Sequence, residues 1–462
     1  MPDIYGILNV ARGALLTQQR AIDVTGHNIA NVNTPGYSRQ RVNMQTNTPI
    51  PFSPGQMGTG VDAVEIQRIY DRFLGVQISN ENQNLGKWEA QKGCIEKIEM
   101  ILDETSGYGL SQAMSEFWNA WQDLANNPSG HTERISLKTK SEILTNTFNK
   151  IYSNLQQIQK DTDDSIKGTI QEINLITDQI SDLNQQISEI EVTGQNANDL
   201  RDRRDLLLNE LSSMIDITTS EGDNGNVNVS LSGGRPIVQG NSAWDLSTET
   251  NGSGLQDIVW LDGSGSSANI TDSISGGKLK GWIEARDASV PGYLSRLDDL
   301  AATIISEVNT LHQGGFDLNS NPGEVFFTGT SASQIAVNLN IVNDVNLIAA
   351  SGTPGGVPGD NSRAIAIANL QYATTMSGGT ATFDDYYNSV VSDVGNDVLT
   401  ASTNFDHQTS MVNHLDNYRE SISGVSLDEE MINLIKFQHA YDAAAKLITT
   451  VDELLNTVIN MV

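Results

Sequence analysis

One cysteine, Cys94, is present in 462 residues, so no disulfide can form within the chain. Lys and Arg total only 27 against 57 Asp and Glu, a net charge of −30. Phosphate backbones and anionic lipid headgroups demand clustered cations, so neither nucleic acid nor a membrane surface is an expected partner. No stretch approaches the ~18 uninterrupted apolar residues that a membrane-spanning helix needs. The first twenty residues lack a signal peptide's layout: Asp3 precedes any Lys or Arg, Arg12 and Arg20 break the apolar run, and no small-residue cleavage site follows. Aromatics are 6% and apolar residues 38%, little core per residue and closer to an elongated protein than to a compact enzyme. At 50.0 kDa the chain exceeds what one hydrophobic core organises, which implies several domains.

Proline is also scarce, 11 residues, and six of these precede glycine, at Pro35, Pro54, Pro291, Pro322, Pro354 and Pro358. Such pairs are turn signals. They divide the chain into a first helix (1–34), an extended region with short strands (37–75), and long helices over 80–215. In 217–283 Val227, Val229 and Leu231 alternate with polar residues and Ile258–Leu261 forms another short apolar run, a strand pattern. Helical spacing returns from Gly281 through Leu311. The Gly/Asn/Ser-rich stretch 314–362 follows, and helices resume over 363–415 and 426–462. The expected fold class is mainly α with a smaller β module.

Three heptad stripes stand out. In the first helix Leu8, Leu15, Ile22 and Ile29 share one position, and Ile4, Ala11, Gln18 and Thr25 the other. In the last, Leu434, Tyr441, Ile448, Leu455 and Val462 share one, and Leu427, Met431, Gln438, Ala445 and Ile459 the other. A period of 3.5 predicts narrow, coiled-coil-like seams. Residues 1–41 carry Arg12, Arg20, Arg39 and Arg41 against Asp3 and Asp23, a balance of +2; residues 425–462 hold six acids against Lys436 and Lys446, a balance of −4. Opposite charge favours pairing of first helix with last. Ser426 and Glu429 predict a capping box at the start of the last helix. The third stripe, Ile166, Ile173, Ile180 and Ile187 with Thr169, Ile176, Leu183 and Ile190, predicts an antiparallel helical rod. Its expected partner is the Leu-rich run at 200–211 or the stripe at 294–311.

Catalytic patterns are not found. His27, His131, His312, His407, His414 and His439 form no HExxH motif, and His407 and His414 lie about 10 Å apart along a helix, too far to share a metal ion. Cys94, beside Ile95, reads as a buried structural thiol rather than a nucleophile. Gly263, Gly265 and Ala268 fit a GxGxxA dinucleotide pattern, but the following residues are not helical, so a surface loop is favoured. Neither catalytic residues, cofactor nor metal are expected.

The segment DVTGHNIANVNTPGYSRQ (23–40) resembles the N-terminal signature of bacterial flagellar axial proteins, carried by Asn28, Asn31, Thr34, Pro35, Gly36 and Tyr37. Its longer form, with VTGH before and SRQ after, is similar to that of hook-associated proteins. The segments SGVSLDEEM (423–431) and KFQHAYDAAAK (436–446), and the internal stretches 276–287, 297–318 and 359–371, resemble the same family. The resemblance implies a nested organisation: 1–36 with 426–462 as a terminal helical assembly domain, 37–216 with 284–425 as an elongated mainly helical domain, and 217–283 as a small β-rich insertion. Larger members often insert an outer β domain, for which the roughly thirty residues between Thr328 and Gly359 leave no room. It further implies a structural junction protein of the flagellum, exported by the type III apparatus without a cleaved signal peptide and located outside the cell. Implied partners are other copies of itself, the hook protein, the second junction protein, and a cytoplasmic export chaperone at the C-terminus. The assembly interface is expected at Leu8, Leu15, Ile22, Ile29, Met431, Leu434, Tyr441, Ile448 and Leu455, with both terminal segments loose until assembly. The alternatives are another axial protein of hook or distal rod, a cell-wall hydrolase, and a secreted helical adhesin.

Overall fold

A computed structural model describes residues 4–52, 55–103, 109–222, 224–263 and 265–460. Helix α1 (Ile4–Ala30) leads into a ribbon of β1 (Gln40–Thr46), β2 (Ile50–Phe52), β3 (Gly55–Met57) and β4 (Val61–Arg68). β1 and β4 pair antiparallel from Gln40↔Arg68 to Thr46↔Val61, with a register shift between Asn43 and Met44. Four helices follow: α2 (Arg72–Leu102), α3 (Leu110–Asn126), α4 (His131–Glu191) and α5 (Asn198–Met214). Asp71 starts α2 by accepting the amides of Phe73 and Leu74 at 2.9 and 3.2 Å.

The β module holds two antiparallel sheets. One runs β5 (Ile217–Glu221), β6 (Val227–Leu231), β7 (Pro236–Gln239), β8 (Ser242–Ala243) in that order. The other places β10 (Gln256–Leu261) between β9 (Leu246–Thr250) and β11 (Ser267–Asn269). Of the GxGxxA residues, Gly263 and Gly265 lie between β10 and β11 and Ala268 pairs with Trp260 within β11, while Ser264 is outside the described residues; a single 3-10 turn, Thr271–Ser273, follows β11. Helix α6 (Gly277–Glu284) joins α7 (Val290–Gln313) through one π-helical segment, Ala285–Ser289. The chain continues through β12 (Phe327–Thr328), β13 (Ala336–Val337), α8 (Leu339–Asn343) and α9 (Ser362–Ala368) to α10 (Phe383–Ser423) and α11 (Leu427–Ile459). The fold is mainly α with a smaller β module, as the periodicities predict.

Helix α4 is the spine. Its 61 residues extend about 90 Å and contribute to two separate cores. From Leu137 to Ile158 it joins the larger core, where Phe117, Trp118, Trp121, Phe326, Phe327 and Phe383 meet the apolar faces of α7 and α10. The Gly/Asn/Ser-rich stretch contributes to this core despite its composition. Asn309 of α7 accepts the Phe326 and Phe327 amides, each at 2.8 Å, and so seats both rings. Cys94 lies in the same core, with Thr162 at 3.6 Å from its sulfur, and burial pushes its thiol pKa up, in keeping with a structural role.

The predicted stripe Ile166, Ile173, Ile180, Ile187 is buried along one face of α4. Its partner is only partly the expected one: Ile166, Ile173 and Ile180 share a core with Leu208 and Leu211 of α5 and with Val229, Ile237, Val238, Leu246 and Ile258 of the sheets. The 294–311 stripe packs instead into the larger core. Two asparagines of α4 dock the β module. Asn174 exchanges both backbone bonds with Leu246 at 2.8 and 2.9 Å, and Asn184 does the same with Val227 at 2.8 and 3.0 Å. Each side-chain amide thus takes the place of a neighbouring strand. Helix α2 packs tightly on α5 and α6: a Cβ on Gly86 would stand 1.9 Å from the Ser213 carbonyl of α5, and one on Gly281 of α6 2.3 Å from the Lys87 carbonyl.

Candidate assembly interface

α1 and α11 form an antiparallel hairpin. Asn28, near the end of α1, bonds Glu430 at the start of α11, and Phe437, two turns on, packs with Ala21 and Val24. The β1–β4 ribbon also packs on α1, adding Val42, Met44 and Ala63 to that small core. Thr17 and Arg20 anchor the ribbon by donating to the carbonyls of Val61 (3.3 Å) and Ala63 (3.2 Å).

The turn after α1 is built around Asn28, which is buried. Its Nδ2 donates to the Gln40 carbonyl at 2.9 Å and to Glu430 Oε2 at 3.0 Å. Its Oδ1 accepts the Gln40 amide at 2.9 Å and the Tyr37 hydroxyl at 2.8 Å. Two donors and two acceptor sites are all the amide offers, and all are used. Asn31 donates to the His27 carbonyl at 3.0 Å and accepts from Thr34 at 3.1 Å, while Gly36 takes the positive φ (77°) that closes the turn. Pro35 is exposed. Burial first, then the carboxylates of Asp199, Asp202 and Glu430, pushes the Tyr37 phenol well above its ordinary range, which keeps the hydroxyl proton available to Asn28.

One face of α5 receives this turn. Asp202 accepts the Ser38 amide at 2.8 Å and Arg68 at 2.7 Å, Asp205 accepts Arg68 at 2.6 Å, and Asp199 accepts Gln40 at 2.6 Å. Burial pushes the Asp202 carboxyl upward while Arg68 and the Ser38 amide oppose it. Across the two chain ends, Arg39 bonds Glu429 at 2.6 Å and its amide donates to the Ser423 carbonyl at 2.8 Å. His27 is hydrogen-bonded at the helix end, beside Asp199 at 3.4 Å.

The seam differs from the predicted one in its rotation. The positions of α11 turned inward are Glu430, Ala444 and Val451, all buried, with Phe437 between Glu430 and Ala444. Leu434, Ile448 and Leu455 are half-buried at its side, and Tyr441 is 37% exposed. Met431 is 49% exposed and Leu427 48%, on the outer face; Val462 lies outside the described residues. The reason is the Asn28–Glu430 bond: adjacent helical residues are about 100° apart, so bringing Glu430 inward turns Met431 away. On α1, Ala11, Ala21, Thr25 and Asn28 are buried, while Leu8, Leu15, Ile22 and Ile29 are half-buried. The capping box does not form. Ser426 stands at the N-cap without a side-chain bond, and the Glu429 carboxylate is held by Arg39 instead. Asp199, Asp202 and Asp205 escaped the sequence reading because spacings of three among 57 acids carry no signal.

No group of three or more His, Cys, Asp or Glu among the described residues is arranged to hold a metal ion. No helix among them is long and apolar enough to cross a membrane.

First and last helices thus close on one another around the turn that carries Asn28, Asn31, Thr34, Pro35, Gly36 and Tyr37. The family model for flagella basal body rod proteins matches residues 8–37, and that for the C-terminal part of the flagellar basal body rod FlgEFG proteins matches 418–461. Between them, the model of the flagellar hook-associated protein FlgK helical domain matches 95–327. Flagellar hook-associated protein 1 of Bacillus subtilis is 32% identical over 98% of this chain and 97% of its own length. That of Escherichia coli is 27% identical over 98% and 99%. The chain belongs to the flagellar hook-associated protein 1 family. Its alignment with the Escherichia coli relative spans 544 positions, more than the 462 residues here, so that relative carries segments this chain lacks. The structure of the flagellar hook junction protein FlgK from Burkholderia pseudomallei superposes with a TM-score of 0.68, covering 75% of this chain and all of that one; at 16% identity the likeness is one of fold.

Proposed function

We propose that this protein is a non-catalytic subunit of the hook–filament junction that assembles through its terminal hairpin. The observation that carries this is the hairpin's outer surface. Tyr5 and Leu16 on α1, and Ile432, Ile435, Leu454 and Val458 on α11, are exposed large apolar residues. Apolar surface of this extent on a chain of net charge −30 calls for a partner. The hairpin's own core, centred on Ala21, Val24 and Val42, is small, so the two helices gain most of their stability on docking. Copies of this chain would provide the docking surface, with hook protein below and the second junction protein above. Before export through the type III apparatus, a cytoplasmic chaperone would cover α11.

In this reading the domains are nested as the resemblance implies: the terminal hairpin innermost, the α4-centred body around it, and the β module outside. The interface draws on Leu434, Ile448 and Leu455 of the seam edge and on Met431 and Tyr441 of the outer face, with Leu8, Leu15, Ile22 and Ile29 of α1. Changing Leu434 and Ile448 together to Asp tests it. Cells carrying this variant should make hooks but shed filament monomers, while the purified body keeps its helical circular dichroism. Normal filaments on such cells would refute the assignment.

A further inference from the structure

We infer that Glu430 is a specificity-determining residue of the α1–α11 pairing: together with Asn28 it selects the register and the inward face of the last helix. Apolar packing alone selects neither strongly. Both helices carry heptad stripes, so sliding one past the other by seven residues returns apolar groups to equivalent places. The small core at the crossing, Ala21 and Val24 against Phe437, accepts Ala444 or Val451 in the place of Phe437 with only a change of volume. Helix α11 is also apolar on more than one side, since Leu427, Met431, Ile432, Ile435, Leu447 and Leu454 are all exposed.

The polar pair is not interchangeable in this way. Glu430 is 3% exposed and Asn28 1%, and they meet at 3.0 Å. A one-heptad slide sets Asn28 against Phe437 and takes Glu430 away from its donor. The amide then keeps one N–H buried without a partner, and a buried polar group left unpaired is disfavoured far more than the bond itself is favoured. Asn28 cannot follow the slide, because its other three bonds tie it to Tyr37 and to both backbone groups of Gln40. The turn is therefore a fixed template, and Glu430 is the buried residue by which α11 is read against it; the neighbouring Arg39–Glu429 pair is solvent-exposed and adds little to the choice. The key acts within one chain, whatever the hairpin later docks against.

Disulfide trapping tests the key, since it reads relative populations even in a hairpin that opens. Full-length chains carry Ala21→Cys with either Phe437→Cys, for the observed register, or Ala444→Cys, for the register one heptad along; Cys94 is buried. With Glu430 present, the observed pair should cross-link at least about tenfold more than the shifted pair, the ratio set by one unpaired buried group. Glu430→Gln keeps an acceptor for Asn28 and should keep that preference. Glu430→Leu should bring the two yields to within about threefold, and so should Asn28→Leu with Glu430→Leu, which leaves an apolar pair that packs without the key. Equal yields in the parent, or an undiminished preference in the double leucine variant, would overturn the inference. Neither outcome bears on where the protein sits in the cell, which the Leu434 and Ile448 variant tests separately.

Discussion

Mild acid should weaken the larger core through one imidazole. His312, on α7, is fully buried, with Nδ1 at 2.6 Å from the Glu324 carbonyl and Nε2 at 2.8 Å from the Ala349 amide. These partners require the neutral tautomer with the proton on Nδ1, which donates to the carbonyl and leaves Nε2 to accept. A second proton would point at the Ala349 N–H and put an unpaired charge in the core. Burial, opposed by the Glu324 carbonyl and aided by nearby Arg134, accordingly brings the pKa from 6.5 down to about 4. The unfolded chain takes up this proton below about pH 6.5 and the folded chain does not until about pH 4. The contribution is thus complete above 6.5 and is lost as pH falls through that interval. Linkage between these two values gives a loss of about 2 kcal/mol by about pH 5 and about 3 kcal/mol by about pH 4. Urea unfolding followed by tryptophan fluorescence is the assay, because Trp121 stands 6.2 Å from the ring. Comparison with His312→Gln cancels the titration of the acids. The parent should lose about 2 kcal/mol more than the variant between about pH 7 and pH 5. An equal loss in both would refute the account of His312.

Other perturbations follow from contacts already described. Asn28→Ala removes four hydrogen bonds and leaves the Gln40 amide and the Tyr37 hydroxyl without this partner; it should loosen the turn by about 2–4 kcal/mol, seen as faster deuterium exchange at the Gln40 amide with unchanged exchange in α4. Gly86→Ala places a Cβ 1.9 Å from the Ser213 carbonyl, so α2 must shift from α5 and α6, and the urea midpoint should fall by the equivalent of about 1–3 kcal/mol. Ile173→Ala opens a cavity between α4 and the sheets and should cost about 2–5 kcal/mol by the same assay, with the larger core's tryptophan signal retained if the two cores unfold separately.

Much of this molecule was legible in one dimension. Helix spacing located the first and last helices, the α4 spine and the β excursion, because apolar periodicity is a local property set by the geometry of each element. The motif residues and the two chain ends carried the family. The buried face of α4 was also readable, since Ile166 through Ile187 repeat without interruption.

Choices between equivalent faces were decided only in three dimensions. A heptad pattern says that a stripe will be buried, not which of two adjacent stripes, and on α11 a carboxylate 402 residues away in sequence from its asparagine made the choice. The covering of α4 by sheets as well as by α5 depended on side-chain amides, Asn174 and Asn184, whose strand partners lie 72 and 43 residues on. Polar groups in a core act through direction and distance, and neither is written in the spacing of residues along a chain. The sequence by itself therefore determined the elements, the family and the net charge of −30. The tertiary structure determined the rotation of the last helix, the four bonds of Asn28 and the neutral state of His312, because each depends on where a single hydrogen-bond donor meets its acceptor.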